Sequence, residues 1–365
     1  MIRHQQSFQA FTETPVQLLD SEGRWVADFD CDLEPEKLLD LYRSMVAARL
    51  MDERFERLQR SGRSSFFAPL SGHEAAQIAL AKAIKPGLDW FFPYYRDYGA
   101  ALALGLPAEE VFAQVMGTAN DTAKGRQMPM HPGSKGLNIF TTVSAIAAHI
   151  PPAVGAALSM KLQNTGQVAI TSFGDGATSE GDFHAALNFA GAQGAPVVFV
   201  CENNGYAISV PFEEQSGSGT VAEKAKAYGM PGYLVDGMDV LACYYLLREV
   251  TAQARSGLGP SLVDAQVYRY GPHSSADDDS HYRDAEEKEH WQQRDPIKRM
   301  RLYLKSRKLW DEDAEVELRD ELNAHFAGAI AKAEEAGKPP KAWMFGDVFA
   351  DMPPHLAEQK AELEG

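Results

Sequence analysis

From Pro35 the chain places Leu38, Leu41, Tyr42, Met45 and Val46 three or four positions apart, the spacing that lines one face of an α-helix. This predicts a helix over 35–60, opened by Pro35, whose missing N–H costs nothing in a first turn. Helical spacing returns over 72–84 and over 102–115, the second broken by a turn at 105–107. The period then changes. Residues 168–173, 197–201 and 262–268 are short apolar, β-branched runs, with a helical segment over 182–192 between the first two. Such alternation predicts an α/β fold with a mostly parallel sheet and helices on both faces. From residue 285 the pattern is helical and charged, with an outer helix over 311–335 and a polar tail from 353. Residues 1–34 read as an extended arm with a turn at Ser21-Glu22-Gly23. The predicted organisation is therefore an N-terminal arm (1–34), an α/β domain (35–284), and a C-terminal helical lobe and tail (285–365).

Composition narrows the partners. At 365 residues and 45% hydrophobic, one large core can be buried with a lobe to spare. The formal charge of −16 repels phosphate-rich partners, so neither nucleic acid nor an anionic membrane surface is expected. Small molecules and basic protein surfaces fit better. Cys31, Cys201 and Cys243 are odd in number and far apart, which fits reduced thiols and a cytoplasmic location. The opening MIRHQQSFQAFTETP has no apolar run, so no secretory signal is expected. Residues 136–160 carry no Asp, Glu, Lys or Arg and are long enough to span a bilayer, but the pair Pro151-Pro152 and the polar Thr141, Thr142, Ser144 and His149 argue against a span. The segment is read as a buried loop feeding a helix of small residues.

The chemistry concentrates in two places. Gly174-Asp175-Gly176 follows one predicted strand, and Glu202-Asn203-Asn204-Gly205-Tyr206 follows the next. In a right-handed βαβ unit both strand ends open on one edge, so Asp175 and Asn204 should converge there. A carboxylate, an amide oxygen and a main-chain carbonyl make a hard-oxygen set suited to Mg²⁺, and small glycines let backbone N–H groups approach phosphate. Either motif alone would read as a turn. Together they resemble the thiamine-diphosphate signature. Phe92 to Asp97 (FPYYRD), Gly125 to His131 (GRQMPMH) and Ile150 to Ala157 (IPPAVGAA) then match, in order, the alpha subunits of 2-oxo acid dehydrogenases, a resemblance that covers about residues 35 to 355.

The resemblance implies a thiamine-diphosphate-binding fold and assigns roles. Asp175, Asn204 and the carbonyl of Tyr206 would hold Mg²⁺. Tyr95, Arg96, Gly174, Gly176, Ala177 and His273 would meet thiamine diphosphate, with Ser144 and Ile146 receiving its aminopyrimidine ring. Phe66, Tyr95, His131 and Ser144 would line the substrate pocket, and His131 and His273 are the candidates for proton handling. The activating glutamate of such enzymes lies on another domain, so a beta subunit in an α2β2 heterotetramer is expected to supply it. The activity implied is oxidative decarboxylation of a small 2-oxo acid, with transfer of the acyl group to the lipoyl group of a transacylase. His273-Ser274-Ser275-Ala276-Asp277-Asp278 and Asn203 to Ser209 resemble the branched-chain type more than the pyruvate or acetoin types, whereas Glu202 stands where some branched-chain members carry Arg and matches the pyruvate type. Val143 and Ala148 replace polar residues that hold a monovalent cation in some members, so that ion is not expected. Some relatives are phosphorylated at the position of Ser274. A non-catalytic scaffold is the reading from another class, disfavoured by the joint presence of Asp175, Asn204, Arg96 and His273. The loop 270–283, rich in Gly, Pro, Ser and Asp, is expected to need the diphosphate to order it.

Overall fold

The computed structural model describes residues 8–364; the first seven residues of the arm, which open the stretch read for a secretory signal, lie outside them. The helices in chain order are α1 (Pro35–Arg60), α2 (Glu74–Ala83), α3 (Tyr98–Ala103), α4 (Ala108–Met116), α5 (Ile150–Gln163), α6 (Gly181–Gln193), α7 (Phe212–Gln215), α8 (Val221–Lys224), α9 (Val240–Arg255), α10 (Ala285–Gln293), α11 (Pro296–Ser306), α12 (Glu312–Glu335) and α13 (Pro354–Glu364). The strands are β1 (Trp90–Phe92), β2 (Ala169–Gly174), β3 (Val197–Asn203), a small antiparallel pair β4 (Tyr206–Ala207) and β5 (Val210–Pro211), β6 (Gly232–Asp236) and β7 (Ser261–Gln266). The main sheet is parallel throughout, in the order β1-β2-β3-β7-β6.

Strand parity sorts side chains into two cores. Val197, Phe199 and Cys201 face α5 and α6, whereas Val198 and Val200 face α2 and α9. Glu202 shares the second parity and so points under α2. The arm covers the free edge of β6: the N–H groups of Phe11 and Val16 donate to Gly232 and Leu234, and Asp236 N–H returns to Val16. Edge pairing of this kind removes a row of open backbone groups. The C-terminal lobe packs α11 and α12 on α1 and α4, and Arg299, fully buried, bonds Asp236 at the end of β6 at 2.9 Å.

The structure goes beyond the sequence reading at three places. The polar tail contains a helix, α13. The segment before α5 is not a buried loop: Ser144, Ala145 and Ile146 are exposed, because they form a rim. Third, the stretch between β3 and β7 holds β6 and the sixteen-residue α9, which helical spacing did not reveal. From Val240 to Leu247 nearly every side of α9 is buried, so no polar face marks its period. The capping signal was present in Asp239, whose carboxylate accepts the N–H groups of Leu241 and Ala242 at 3.0 and 3.1 Å. Among the described residues no helix is long and apolar enough to cross a membrane.

Candidate functional site

Four adjacent strands end at one edge of the sheet, and the segments that leave them enclose a cavity of about 280 Å³. The segment after β1 supplies Tyr94, Tyr95 and Arg96; that after β2 supplies Asp175, Gly176 and Ala177; that after β3 supplies Asn204, Tyr206, Ala207 and Ile208; and that after β7 supplies Arg269 and His273. Ser144 and Ile146 close the rim. All the sequence-predicted cofactor and metal residues therefore meet in one place. Phe66 does not: it is half-buried and packed against the main core, its carbonyl accepting the Ser64 hydroxyl at 2.9 Å. His131 stands behind the rim.

Asp175 and Asn204 form one corner of the cavity. Asp175 is buried, its Oδ2 accepts the Gln215 amide at 2.7 Å, and its Oδ1 has no partner. Burial pushes this carboxyl above its ordinary pKa, the cost a metal ion would reverse. Asn204 Oδ1 accepts the N–H of Tyr206 at 3.3 Å across a turn in which Gly205 has φ +81°. Gly176 is needed for contact between two of the loops: a Cβ there would stand 3.0 Å from the Cβ of Ala207. Ile208, next along, has φ +60°, a strained conformation for a β-branched residue, and is exposed at the cavity.

The opposite wall is basic. Arg96 is buried, donating through Nη1 to the carbonyl of Pro69 at 2.5 Å and through Nη2 to that of His273 at 3.3 Å. The His273 ring meets the edge of Tyr95 at 6.0 Å. Burial, then Arg96 and Arg269, lower its pKa to about 3, so it is a neutral imidazole at pH 7. His131 is also held neutral by burial. Its Nδ1 lies 2.9 Å from the carbonyl of Pro129 and must carry the proton, which leaves Nε2 to accept the Ser144 hydroxyl at 2.5 Å.

Glu202 stays out of the cavity. Buried beneath α2, its Oε2 accepts His73 Nδ1 at 2.7 Å, Gln77 Nε2 at 3.1 Å and the Tyr94 hydroxyl at 3.0 Å. Gln77 Nε2 also donates to the carbonyl of Arg96 at 3.0 Å, which ties the network to the basic wall. Asp97 is buried close by, and burial together with the charge of Glu202 pushes the Asp97 carboxyl well above the ordinary range.

The loop over 270–283 is held by its own side chains. Arg269 donates to the Tyr282 hydroxyl at 2.8 Å, that hydroxyl donates to Asp277 at 2.5 Å, and Asp277 accepts the His273 N–H at 2.7 Å. Arg283 donates to the carbonyl of Gly271 at 2.7 Å. Sequence reasoning missed Tyr94, Ala207, Ile208 and Arg269 as cavity residues. The available signal for Arg269 was its place three residues beyond a strand on the same edge as Asp175.

Known proteins align along nearly the whole chain. A family model described as dehydrogenase E1 component matches residues 42–342. The chain is 41% identical over 346 residues to the 2-oxoisovalerate dehydrogenase subunit alpha 2, mitochondrial, of Arabidopsis thaliana, covering 94% of this chain and 73% of that protein. It is 41% identical over 350 residues to the alpha 1 subunit of the same plant, covering 95% and 74%. To the pyruvate dehydrogenase E1 component subunit alpha of Staphylococcus aureus it is 40% identical over 346 residues, covering 94% and 91%.

Proposed function

The chain belongs to the dehydrogenase E1 component family, as an alpha subunit of a 2-oxo acid dehydrogenase, and on that footing we propose that it serves a branched-chain enzyme acting on 3-methyl-2-oxobutanoate. The observation that carries the cofactor chemistry is the cavity itself. A buried carboxylate oxygen without a partner, an amide oxygen and a carbonyl lie across from a buried arginine, which suits Mg²⁺ and a diphosphate together. Asp175, Asn204 and the carbonyl of Tyr206 would hold the metal; Arg96 and His273 would face the diphosphate, and Ser144 and Ile146 the ring. When bound, thiamine diphosphate supplies the carbon nucleophile and the electron sink for decarboxylation.

The chain's own residues position and shield. Neutral His273 can donate to or accept from an oxygen in the cavity without adding charge, and Ser144 keeps Nε2 of His131 turned toward the rim. Asp175 is the one carboxylate among the cavity-lining residues. A beta subunit would bring the carboxylate that activates the aminopyrimidine, and the exposed Ile146 and Ile208 give it an apolar rim to cover. E1 alpha subunits act with beta subunits and pass acyl groups to a lipoyl-bearing transacylase core, so an α2β2 assembly is the working form proposed here.

The branched-chain reading is supported by the runs at 203–209 and 273–278. A pyruvate reading is favoured by Glu202 and by the Staphylococcus relative. The test is kcat/KM of the αβ assembly for 3-methyl-2-oxobutanoate against pyruvate. A ratio above about tenfold in favour of the branched substrate is expected, and a preference for pyruvate would overturn the substrate assignment.

A further inference from the structure

Among the residues lining the cavity, Arg269 has been given no role, yet its surroundings are those of a binding group. It is 1% exposed, and three of its contacts fix the guanidinium: Nε donates to the carbonyl of Gly271 at 3.3 Å, and Nη2 to the carbonyl of Ile208 at 3.1 Å and to the Tyr282 hydroxyl at 2.8 Å. Nη1 is buried and has no partner. Arg96, on the same cavity, likewise has a buried Nε with no partner. None of these three bonds goes to a carboxylate, and Asp175, the one carboxylate among the cavity-lining residues, belongs to the corner suited to a cation. Arg269 is linked to Asp277 only through the Tyr282 hydroxyl, and Glu202 acts on Arg96 without a direct bond, so each guanidinium is buried with an N–H unmet, which is costly. Burial and then Arg96 depress the Arg269 pKa to about 10, in keeping with that cost.

We propose that Arg269 binds an oxyanion in the cavity, acting through Nη1 as a second guanidinium beside Arg96. The inference rests on the cofactor reading above. Since Glu202 turns beneath α2, position 202 brings no cation to the cavity, and Arg269 supplies one from the segment after β7. An oxyanion fits because the guanidinium is planar, already oriented by three acceptors, and retains a free N–H. Two sources share that chemistry, the diphosphate of the cofactor and the carboxylate of the 2-oxo acid.

The test uses the αβ assembly. Calorimetric titration with thiamine diphosphate and Mg²⁺, and separately with inorganic diphosphate and Mg²⁺, is compared for wild type, Arg269→Gln, Arg269→Lys and Tyr282→Phe; KM for the 2-oxo acid is then measured at saturating cofactor. Arg269→Gln is expected to weaken one of the two ligands at least tenfold, with Arg269→Lys intermediate. Weaker binding of both diphosphates with an unchanged substrate KM assigns the oxyanion to the cofactor. Unchanged diphosphate binding with a raised substrate KM assigns it to the substrate. Tyr282→Phe removes one of the three acceptors that orient Arg269 and leaves the two carbonyls and Nη1 in place, so its loss should be clearly smaller than that of Arg269→Gln. If Arg269→Gln changes neither ligand, or if Tyr282→Phe reproduces its loss, the proposal fails. Absence of thiamine diphosphate binding by the wild-type assembly would instead sink the cofactor reading on which it rests.

Discussion

Replacing Glu202 with alanine should destabilise the protein far more than replacing it with glutamine. The carboxylate is fully buried and one oxygen receives three donors, from His73, Gln77 and Tyr94. Alanine strands all three in a dry site, and an unmet buried donor costs about 1–3 kcal/mol. Part of that is offset, because the neighbouring Asp97 carboxyl loses a repulsive partner. The net loss expected is about 3–5 kcal/mol, the range for breaking a buried pair. At roughly 2–4 °C per kcal/mol for a large domain, this corresponds to a fall in melting temperature on the order of 10 °C. Glutamine keeps an acceptor where Oε2 stands and places an NH2 where Oε1 now has no partner, beside the Asp97 carboxyl. Its cost should stay below about 1.5 kcal/mol, like other shape-conserving changes. Scanning calorimetry of the αβ assembly at one protein concentration reads both. A melting point for Glu202→Ala within about 2 °C of wild type, or equal losses for the two variants, would refute the reasoning.

Two further outcomes follow from the cavity. Asp175→Ala should leave the cofactor-free assembly as stable as wild type or slightly more so, because a buried carboxylate with a free oxygen is removed. It should also abolish the gain of about 2.7 kcal/mol expected from ligand at a hundred times Kd, read as loss of the melting shift on adding thiamine diphosphate and Mg²⁺; a preserved shift would exclude Asp175 as a metal ligand. For His273, the folded pKa of about 3 lies below the unfolded value near 6.5, so the unfolded chain binds the extra proton between them. Its contribution is complete above pH 6.5 and is lost progressively as pH falls toward 3, so the denaturation midpoint of cofactor-free protein should drop less steeply between pH 7.5 and 5 in His273→Gln than in wild type; parallel curves would refute this.

The sheet and its site were legible where the physics is local. Short apolar strands followed by Gly-Asp-Gly and Asn-Asn-Gly, on one edge by the handedness of βαβ units, were enough to bring Asp175 and Asn204 together. Arg269 was not legible, because an arginine between two tyrosines reads equally as a surface side chain, and its burial depends on carbonyls from Ile208 and Gly271 that no spacing reveals. The exposure of Ile146 escaped for the converse reason: an apolar run reads as core whether it is covered within the chain or stands at a cavity mouth. The loop after β7 was judged on apolar area alone. Its composition cannot bury much, but Arg269, Asp277, Tyr282 and Arg283 hold it through charge-assisted bonds. Part of what was assigned to an external ligand is thus supplied by the loop itself.

The order of the strands has a consequence for the ribosome. Arg96 and His273, joined by a hydrogen bond, are 177 residues apart in the chain. At roughly 5–20 residues per second, the second emerges about 9 to 35 s after the first. Through that interval β3 has no neighbour on the side that β7 will fill, and a cofactor arriving early finds half a cavity. A ligand that needs both Arg96 and His273 can therefore be held only once β7 is in place, and until then the β3 edge stays open.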